Sequence, residues 1–251
     1  MKIKIIVLLT VYIFINSCSS DNRIMKYFTN DAGKDSLAAL PVFYGYWLSE
    51  SYLQDLEKTK STKAAQELGH DHLIRIYGDS LIMKLSLHEG DTENKLNFKS
   101  PTEADIVNPT TFEIYNHIKF SNNKLILDGE SYTKIEEENS RPKFYDMINA
   151  KTISGNYLMN GKKIEFMDNG NVNGLDSVIS YKLNLDYADA GMQYDKIYLK
   201  IKNQKEQQAF IYEWKDKTLS IININCLEKE DKDDWCSVIE KGTVLYVMEQ
   251  E

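Results

Sequence analysis

Alternation of apolar and polar residues with a period of two is the feature that most restricts what this chain can fold into. Ile74 and Ile76 alternate with Arg75 and Tyr77, and a short turn follows at 78–80. The next segment has apolar side chains at every second position: Leu81, Met83, Leu85 and Leu87. Successive side chains of a strand point to opposite faces of a sheet. The pattern therefore predicts two strands of a hairpin, each with one buried face and one solvated face.

Most of the remaining chain has the same character. Further segments that predict strands lie at 96–98, 111–115, 118–120, 125–127, 132–135, 162–166, 172–175, 181–187, 197–201, 210–214, 222–226, 236–239 and 243–248. One stretch differs. Residues 49–68 are rich in Leu, Lys, Glu, Gln and Ala, and they predict two short helices divided at 59–62, with Ser49 or Ser51 as the first N-cap. We therefore expect an all-β protein with a short helical insertion.

The pattern restarts after a charged stretch at 136–143 that contains Arg141-Pro142. Gly-Asn-Tyr-Leu at 155–158 repeats Gly-Tyr-Trp-Leu at 45–48. Residues 118–127 also align without a gap on 212–221. These two matches favour an internal duplication. We predict two tandem small antiparallel β-barrels, at 43–137 and 151–251, with a linker at 138–150.

The N-terminus indicates export. Two lysines precede an apolar run at 5–15, which is shorter than the roughly 20 residues needed to span a bilayer and has the length of a signal-peptide core. Ile15, Ser17 and Cys18 follow in a spacing that resembles the lipobox of bacterial lipoproteins. An ordinary secretory signal, in which Cys18 carries no lipid, is the alternative.

The lipobox resemblance implies that residues 1–17 are removed and that Cys18 carries fatty acyl chains such as palmitate. Because one chain holds only marginally, two or three are needed for stable attachment. The polar stretch at 18–42 then reads as a flexible tether. The protein is accordingly expected in the cell envelope, bound to the lipid bilayer of the outer membrane on its periplasmic or surface side.

Charge and cysteine content narrow the possible partners. Loss of residues 1–17 leaves 28 basic against 38 acidic side chains, a net charge of −10, which argues against nucleic acid as a partner. With Cys18 acylated, Cys226 and Cys236 remain as a pair in an oxidising compartment, and we predict a disulfide between them. Because Ile222, Ile224 and Cys226 share an apolar face, the disulfide is expected beneath the end of a hairpin and not in solvent.

Gly-x-Trp at 45–47, followed by an antiparallel meander, resembles the lipocalin and fatty-acid-binding superfamily. A helical pair after the first strand is similar to the lid of fatty-acid-binding proteins, and residues 153–170 resemble the lipocalin-like domains of bacterial lipoproteins. The resemblance implies barrels able to hold a small hydrophobic ligand, with 49–68 as a movable lid. Near the end of neither half is there an Arg-x-Tyr pair that would bind a carboxylate head group. A barrel of about eight strands can also be filled by its own side chains.

Two motifs are typical of other functions, namely ester hydrolysis and metal binding. Residues 78–81 spell Gly-Asp-Ser-Leu, the signature of a family of serine esterases, but the catalytic His expected near the C-terminus is lacking, since the last His is His117. His70 and His72, with His88 or His117 as a third ligand, could form a metal site. We expect neither, and we predict no cofactor.

The sequence thus predicts a binding protein and not an enzyme. The first hypothesis is a small hydrophobic ligand inside a barrel. The alternative is a protein-interaction or inhibitor module with filled barrels, whose exposed aromatic residues, such as Tyr44, Tyr46 or Tyr187, stack on a sugar or a partner. An esterase that uses Ser80 is a remote third. The sequence identifies no ligand-binding residue.

Overall fold

The computed structural model describes residues 40–68, 73–78, 80–84, 92–138, 141–187, 193–230 and 235–251. Within these ranges the chain is antiparallel β-sheet with short helices, which confirms the predicted fold class. The predicted signal peptide, Cys18 and the tether as far as residue 39 lie outside them. None of the described helices has the length and apolar character that a membrane crossing requires.

The first sheet is a closed up-and-down barrel of the strands β1 to β8. The last strand pairs with the first, with Tyr132 opposite Ser49 and Ile135 opposite Tyr46. A short helix α1, Leu40–Phe43, precedes the barrel, and helices α2, Glu50–Thr59, and α3, Thr62–Glu67, lie between its first two strands. The strands are β1 Gly45–Ser49, β2 Leu73–Tyr77, β3 Ser80–Lys84, β4 Thr92–Ser100, β5 Glu103–Val107, β6 Ile114–Ser121, β7 Lys124–Leu127 and β8 Glu130–Ile135.

A small ribbon of β9, Glu137–Glu138, and β10, Arg141–Pro142, leads to helix α4, Phe144–Thr152. Most of the predicted linker is therefore ribbon and helix. The second sheet then has the order β13-β12-β11-β18-β17-β16-β15-β14. Its strands are β11 Gly155–Met159, β12 Lys162–Phe166, β13 Val172–Asn173, β14 Val178–Leu183, β15 Lys196–Ile201, β16 Gln207–Lys215, β17 Thr218–Glu230 and β18 Trp235–Gln250.

The second sheet is almost closed as well. Its edge strands β13 and β14 meet at a single bridge between Asn171 and Ser180. Beside it the Tyr181 N–H donates to the Gly170 carbonyl at 2.6 Å. Gly170 has φ +83°, and a Cβ there would lie 2.7 Å from the Tyr181 carbonyl oxygen. Only glycine allows the two segments to approach this closely.

Both barrels begin in the same way. Trp47 in β1 and Tyr157 in β11 are fully buried, two residues after a glycine with positive φ. The Trp47 indole N–H donates to the Phe43 carbonyl at 2.8 Å, and the Tyr157 hydroxyl donates to the Ile153 carbonyl. In each case the acceptor lies four residues earlier in the chain. The aromatic side chain thus fixes the segment that enters the barrel.

The second sequence match also lies at equivalent positions. In the sixth and seventh strands of the first barrel, Ile118 pairs with Leu127 and Phe120 with Leu125. The sixth and seventh strands of the second have Tyr212 opposite Ile221 and Trp214 opposite Leu219. In both barrels the aromatic ring of the first strand contacts the aromatic ring of the sixth strand. The ring centroids are 5.9 Å apart for Trp47 and Phe120 and 6.1 Å apart for Tyr157 and Trp214. The two barrels repeat one plan, as the duplication predicts.

Helices α2 and α3 begin at serine caps. The Ser49 hydroxyl accepts from the Tyr52 N–H, as predicted, and the Ser61 hydroxyl accepts from the Ala64 N–H. Lys60 between them has the left-handed conformation, with φ 55°. This residue ends α2 and accounts for the predicted division.

The helical pair packs against the second barrel. Tyr52, Leu56 and Ala65 belong to the same core cluster as the inner side chains of the second barrel, among them Leu183 and Tyr212. The sequence resemblance placed these helices over the first barrel as a lid. Their apolar face and α4 cover the core of the second barrel, while Glu50 at the start of α2 bonds to Lys124 and Thr133 of the first.

The carboxylate of Asp195, immediately before β15, holds the start of α3. Its oxygens accept from the Ser61 hydroxyl at 2.6 Å, the Lys63 N–H at 2.9 Å and the Thr62 hydroxyl at 3.2 Å. The Tyr187 and Tyr212 hydroxyls lie 3.1 and 3.3 Å from the same carboxylate. One acidic side chain thus joins the inserted helices to the second barrel.

We expect Asp195→Ala to lower the free energy of unfolding by about 3 kcal/mol, because hydrogen bonds to a charged group contribute about 1.5–3 kcal/mol each and their donors would be left unpaired. Urea denaturation measures the change. Asp176→Ala is the matched control, since this carboxylate pairs with Lys162 but its side chain is 88% exposed, and its removal should cost less than about 1 kcal/mol. Equal losses in the two variants would contradict the role given to Asp195.

Candidate functional site

The described inner side chains of the first barrel pack against one another. Phe43 packs against Phe98 at 5.6 Å and against Phe120 at 6.1 Å between ring centroids. Further fully or almost fully buried side chains of the same cluster are Trp47, Ile74, Ile106, Ile118, Leu125 and Tyr132. Such close packing is typical of a protein core and not of a ligand cavity.

Aromatic side chains fill the second barrel in the same way. The Phe166 ring lies 5.6 Å from Tyr157 and 5.2 Å from Tyr181. The Tyr181 hydroxyl donates to the Met167 carbonyl and bonds to the Ser154 hydroxyl, both at 3.0 Å. These polar contacts fix the ring in the core. The described inner faces of both barrels therefore match the filled form of the fold.

Tyrosine hydroxyls beside Asp195 are also buried. Thr62 bonds to the Tyr187 hydroxyl, and its backbone N–H donates to the Tyr212 hydroxyl at 3.2 Å. Burial, with the nearby Asp195 carboxylate, raises the pKa of Tyr187 and Tyr212 well above the ordinary value. Tyr187, expected among the exposed tyrosines, is buried, and Tyr44 and Tyr46 are only partly exposed.

Burial also raises the pKa of Tyr52, Tyr157 and Tyr181. With Tyr187 and Tyr212 they make five hydroxyls whose pKa is higher in the folded protein than the unfolded value of about 10. Their contribution to stability is complete at a pH below that unfolded pKa. It is lost as the pH rises through the folded-state pKa values. We predict that at least five of the 16 tyrosines ionise only when the protein unfolds. Tyrosinate absorbance and far-ultraviolet circular dichroism, followed together from neutral to alkaline pH, test this. Reversible ionisation of all tyrosines in the folded protein would contradict it.

The residues of the esterase motif lie in a hairpin. Ser80 begins β3 and pairs with Tyr77 at the end of β2, with Gly78 in the turn. Asp79 lies outside the described residues, as do His70, His72 and His88 of the hypothetical metal set. Among the residues that the structure does describe, no group of three or more His, Cys, Asp or Glu side chains is arranged to hold a metal ion.

His117, the other histidine considered, lies on the outside of the first barrel. Its Nδ1 is 2.5 Å from Asp105 Oδ1, and Lys99 Nζ is at the same distance from that oxygen. The hydrogen bond from Lys99 is the main cause that holds the pKa of Asp105 below its usual value, and His117 adds to it. The His117 side chain is 69% exposed. Asp105 itself is 1% exposed, so Lys99 and His117 cover a buried carboxylate and join β4, β5 and β6 to one another.

Cys226 in β17 and Cys236 in β18 lie at disulfide distance, with the sulfurs 2.06 Å apart. The predicted pairing is thus present. Its predicted location was wrong: Cys226 is exposed. The physical reason is that β17 pairs with β16 only as far as Ile222, so that Cys226 lies in the part of β17 whose described strand partner is β18. We call this part of β17, with the part of β18 that pairs with it, the arm.

The outer edge of β18 has few described strand pairings. On one side β18 pairs with β17 from Trp235 to Glu249. On the other side its described pairings are limited to Glu249 with Leu158 and Gln250 with Tyr157. A strand edge of this kind presents backbone N–H and C=O groups that can pair with another chain.

Exposed aliphatic side chains lie along this edge. Val244 and Val247 are each 54% exposed and Leu245 is 42% exposed. Register shifts on both sides of Ile222 interrupt the pairing of β17 with this part of β18. Glu240, Lys241 and Glu249 flank the aliphatic stretch with charge. We call residues 235–248 of β18, with this unpaired edge, the open edge.

The sequence pattern predicts two shorter strands, at 236–239 and 243–248, where the structure has β18. The continuous 16-residue strand has only Gly242 as an interruption. Gly242 fits because a Cβ there would lie 2.6 Å from the Asn225 side-chain oxygen. The lack of a turn signal between 236 and 250 could have predicted one long strand.

Comparisons with known proteins identify no relative. No family model, no curated protein and no solved structure matches the chain.

Proposed function

We propose that the chain is a lipid-anchored protein of the cell envelope that binds another polypeptide, and that the partner adds an extended segment to the open edge of β18. The observation that carries the proposal is the combination of filled barrels with an exposed, unpaired aliphatic edge. Of the two binding hypotheses that the sequence leaves open, a hydrophobic ligand needs interior space, whereas a protein partner needs only a surface. The interior contacts favour the second.

The comparison between the two barrels supports this assignment. The seventh and eighth strands of the first barrel, β7 and β8, have 4 and 6 residues, and β8 pairs with strands on both sides. Their counterparts in the second barrel, β17 and β18, have 13 and 16 residues. The extra length is not needed to close a barrel. It builds the arm, the disulfide and the open edge.

The chemistry of the open edge defines the partner segment. Strand addition gains backbone hydrogen bonds along the edge, while side chains at alternate positions supply specificity. The exposed Val244, Leu245 and Val247 favour an extended segment with aliphatic side chains facing them. The disulfide across the arm limits its freedom before binding, which lowers the entropic cost of association.

Crosslinking in the native membrane, with a photoreactive amino acid in place of Val247, tests whether a polypeptide binds at the open edge. We expect a covalent adduct with one polypeptide species, and we expect Leu245→Lys to reduce its yield by about tenfold, or ~1.4 kcal/mol, because a charge on an edge opposes strand addition. Tyr77, 49% exposed at the end of a strand paired on both sides, is the control position. Equal adducts at both positions, no adduct, or an adduct of two copies of this chain would contradict the proposal.

The membrane anchor at Cys18 is tested separately. We expect incorporation of labelled palmitate into the protein and recovery of the protein in the membrane fraction. Both should be lost in Cys18→Ser, since no other side chain at that position can take the lipid. The double variant Cys226→Ser and Cys236→Ser is the control and should keep the label. Label that persists in Cys18→Ser, or is absent from the unaltered chain, would exclude acylation at this residue.

A further inference from the structure

The connection between β5 and β6 carries the most exposed large apolar side chain among the described residues. Phe112 is 66% exposed, and Ile114 and Tyr115, which follow it, are 54% and 51% exposed. The Lys95 ammonium lies 5.9 Å from the Phe112 ring centroid. We call residues 108–115 the apolar loop. Apolar side chains exposed side by side in this way are typical of an interaction site.

The backbone of Phe112 is in the left-handed region, with φ 60°. A bulky side chain rarely adopts this conformation, and holding it there costs stability. At the other described non-glycine positions with positive φ the chain has polar residues: Lys60, Asn122, Asn123, Asp128, Asn160, Ser177, Asn203 and Asp216. Asn and Asp tolerate the conformation best. Phe112 departs from this rule while its ring stays largely outside the core, as expected of a residue kept for binding.

The backbone N–H groups of this connection are paired within it. The Asn108 N–H donates to the Glu113 carbonyl and the Phe112 N–H to the Asn108 carbonyl, both at 2.9 Å. The Asn108 side-chain oxygen accepts from the Thr110 and Thr111 N–H groups at 2.8 and 3.1 Å. The Glu113 N–H donates to the Thr111 hydroxyl at 3.4 Å, and the remaining residue is a proline. Every N–H from 108 to 113 thus has an acceptor, so the segment can leave water without unpaired donors.

We propose that the apolar loop inserts its tip into the head-group region of the bilayer that carries the protein. This insertion rests on the proposed lipid anchor at Cys18, because the anchor brings the loop to a lipid surface. The stretch from Cys18 to Leu40 can span at most about 75 Å. The longest strand of the first barrel has nine residues and measures about 30 Å. The anchored chain is therefore long enough for either end of the barrel to reach the bilayer.

The chemistry of the loop fits a lipid surface. A bilayer accepts a protruding aromatic or aliphatic side chain at head-group level without a matching pocket. Lys95, beside the ring, can extend its ammonium to a lipid phosphate. Glu113 is exposed, and its carboxylate accepts from the Thr111 hydroxyl at 3.2 Å. One charge of each sign beside Phe112 matches a zwitterionic lipid, and the acidic balance of the whole chain opposes an anionic one.

Crosslinking to lipid tests the insertion. The chain from Cys18 onward is coupled through that thiol to a maleimide phospholipid in phosphatidylcholine vesicles, so that the test does not depend on acylation in the cell. A photoreactive amino acid replaces Thr110, and mass spectrometry measures covalent phosphatidylcholine adducts. Thr102 is the matched control position, since it is an exposed threonine in the turn at the other end of β5. We expect at least about tenfold more lipid adduct at position 110 than at 102, because only the first lies in the membrane interface.

The variant Phe112→Asn separates binding from folding. Asn suits the left-handed backbone, so the urea midpoint should not fall, whereas the lipid adduct at position 110 should fall to the level of the control position. Lipid adduct at 110 that is absent, equal to that at 102, or unchanged in Phe112→Asn would overturn the proposal. A lower urea midpoint of Phe112→Asn would overturn it too, since the ring would then serve the fold.

The same substitution at position 110, made in the native membrane, separates a bilayer from a protein partner. We expect lipid adducts there, and a polypeptide adduct in their place would contradict the insertion. Failure of the proposed function is distinguishable from failure of the insertion. Palmitate labelling reports on Cys18 and adducts at position 247 report on β18, whereas the vesicle experiment reports on the apolar loop alone.

Discussion

The carboxylate of Asp195 accepts hydrogen bonds from the first residues of α3 and lies against the hydroxyls of Tyr187 and Tyr212. A partly buried carboxylate is stable only where donors surround it, and here the donors come from two parts of the chain. Helices that follow the first strand of the first barrel are thereby built into the core of the second. The two barrels cannot be separated without exposing Tyr52 and Leu56 and leaving this carboxylate without its partners.

Because of this junction the inserted helices differ from a movable lid. In a fatty-acid-binding barrel a helical pair can move because it covers a cavity that a ligand must enter. Here the corresponding pair covers closely packed aromatic side chains, and ion pairs such as Lys151 with Glu57 tie α4 to α2. Opening would cost buried apolar area and buried hydrogen bonds at once. The fold therefore favours a function at the outer surface, where the open edge lies.

Local patterns in the sequence predict much of this architecture. Alternation of period two fixes the strands, Gly-x-aromatic at 45–47 and 155–157 fixes how each barrel begins, and the match of 118–127 with 212–221 predicts the register of two hairpins. The sequence does not specify which barrel the apolar face of a helix packs against. Tyr52 and Leu56 are spaced for one face of a helix, but their spacing is the same whichever barrel they contact.

The wrong predictions for the location of the disulfide and for the length of β18 have a related cause. An apolar residue such as Cys226 predicts burial only if other elements cover it, and Cys226 lies beyond the part of β17 that pairs with β16. A cleft on the second barrel is equally hidden in the sequence, because its lining residues Tyr145, Lys182, Tyr198 and Gln207 come from four separate elements. Only the folded chain brings them together. Sites formed by distant segments are therefore the part of the account that depends most on the three-dimensional structure.

Filled interiors are the premise on which the proposal for β18 rests. Native mass spectrometry of the chain from Ser19 onward, purified from cells without delipidation, tests this premise most directly. The account predicts a folded charge-state distribution with the mass of the bare polypeptide. A fatty acid or other small apolar molecule retained at one copy per chain would contradict it and would return the binding site to the inside of a barrel.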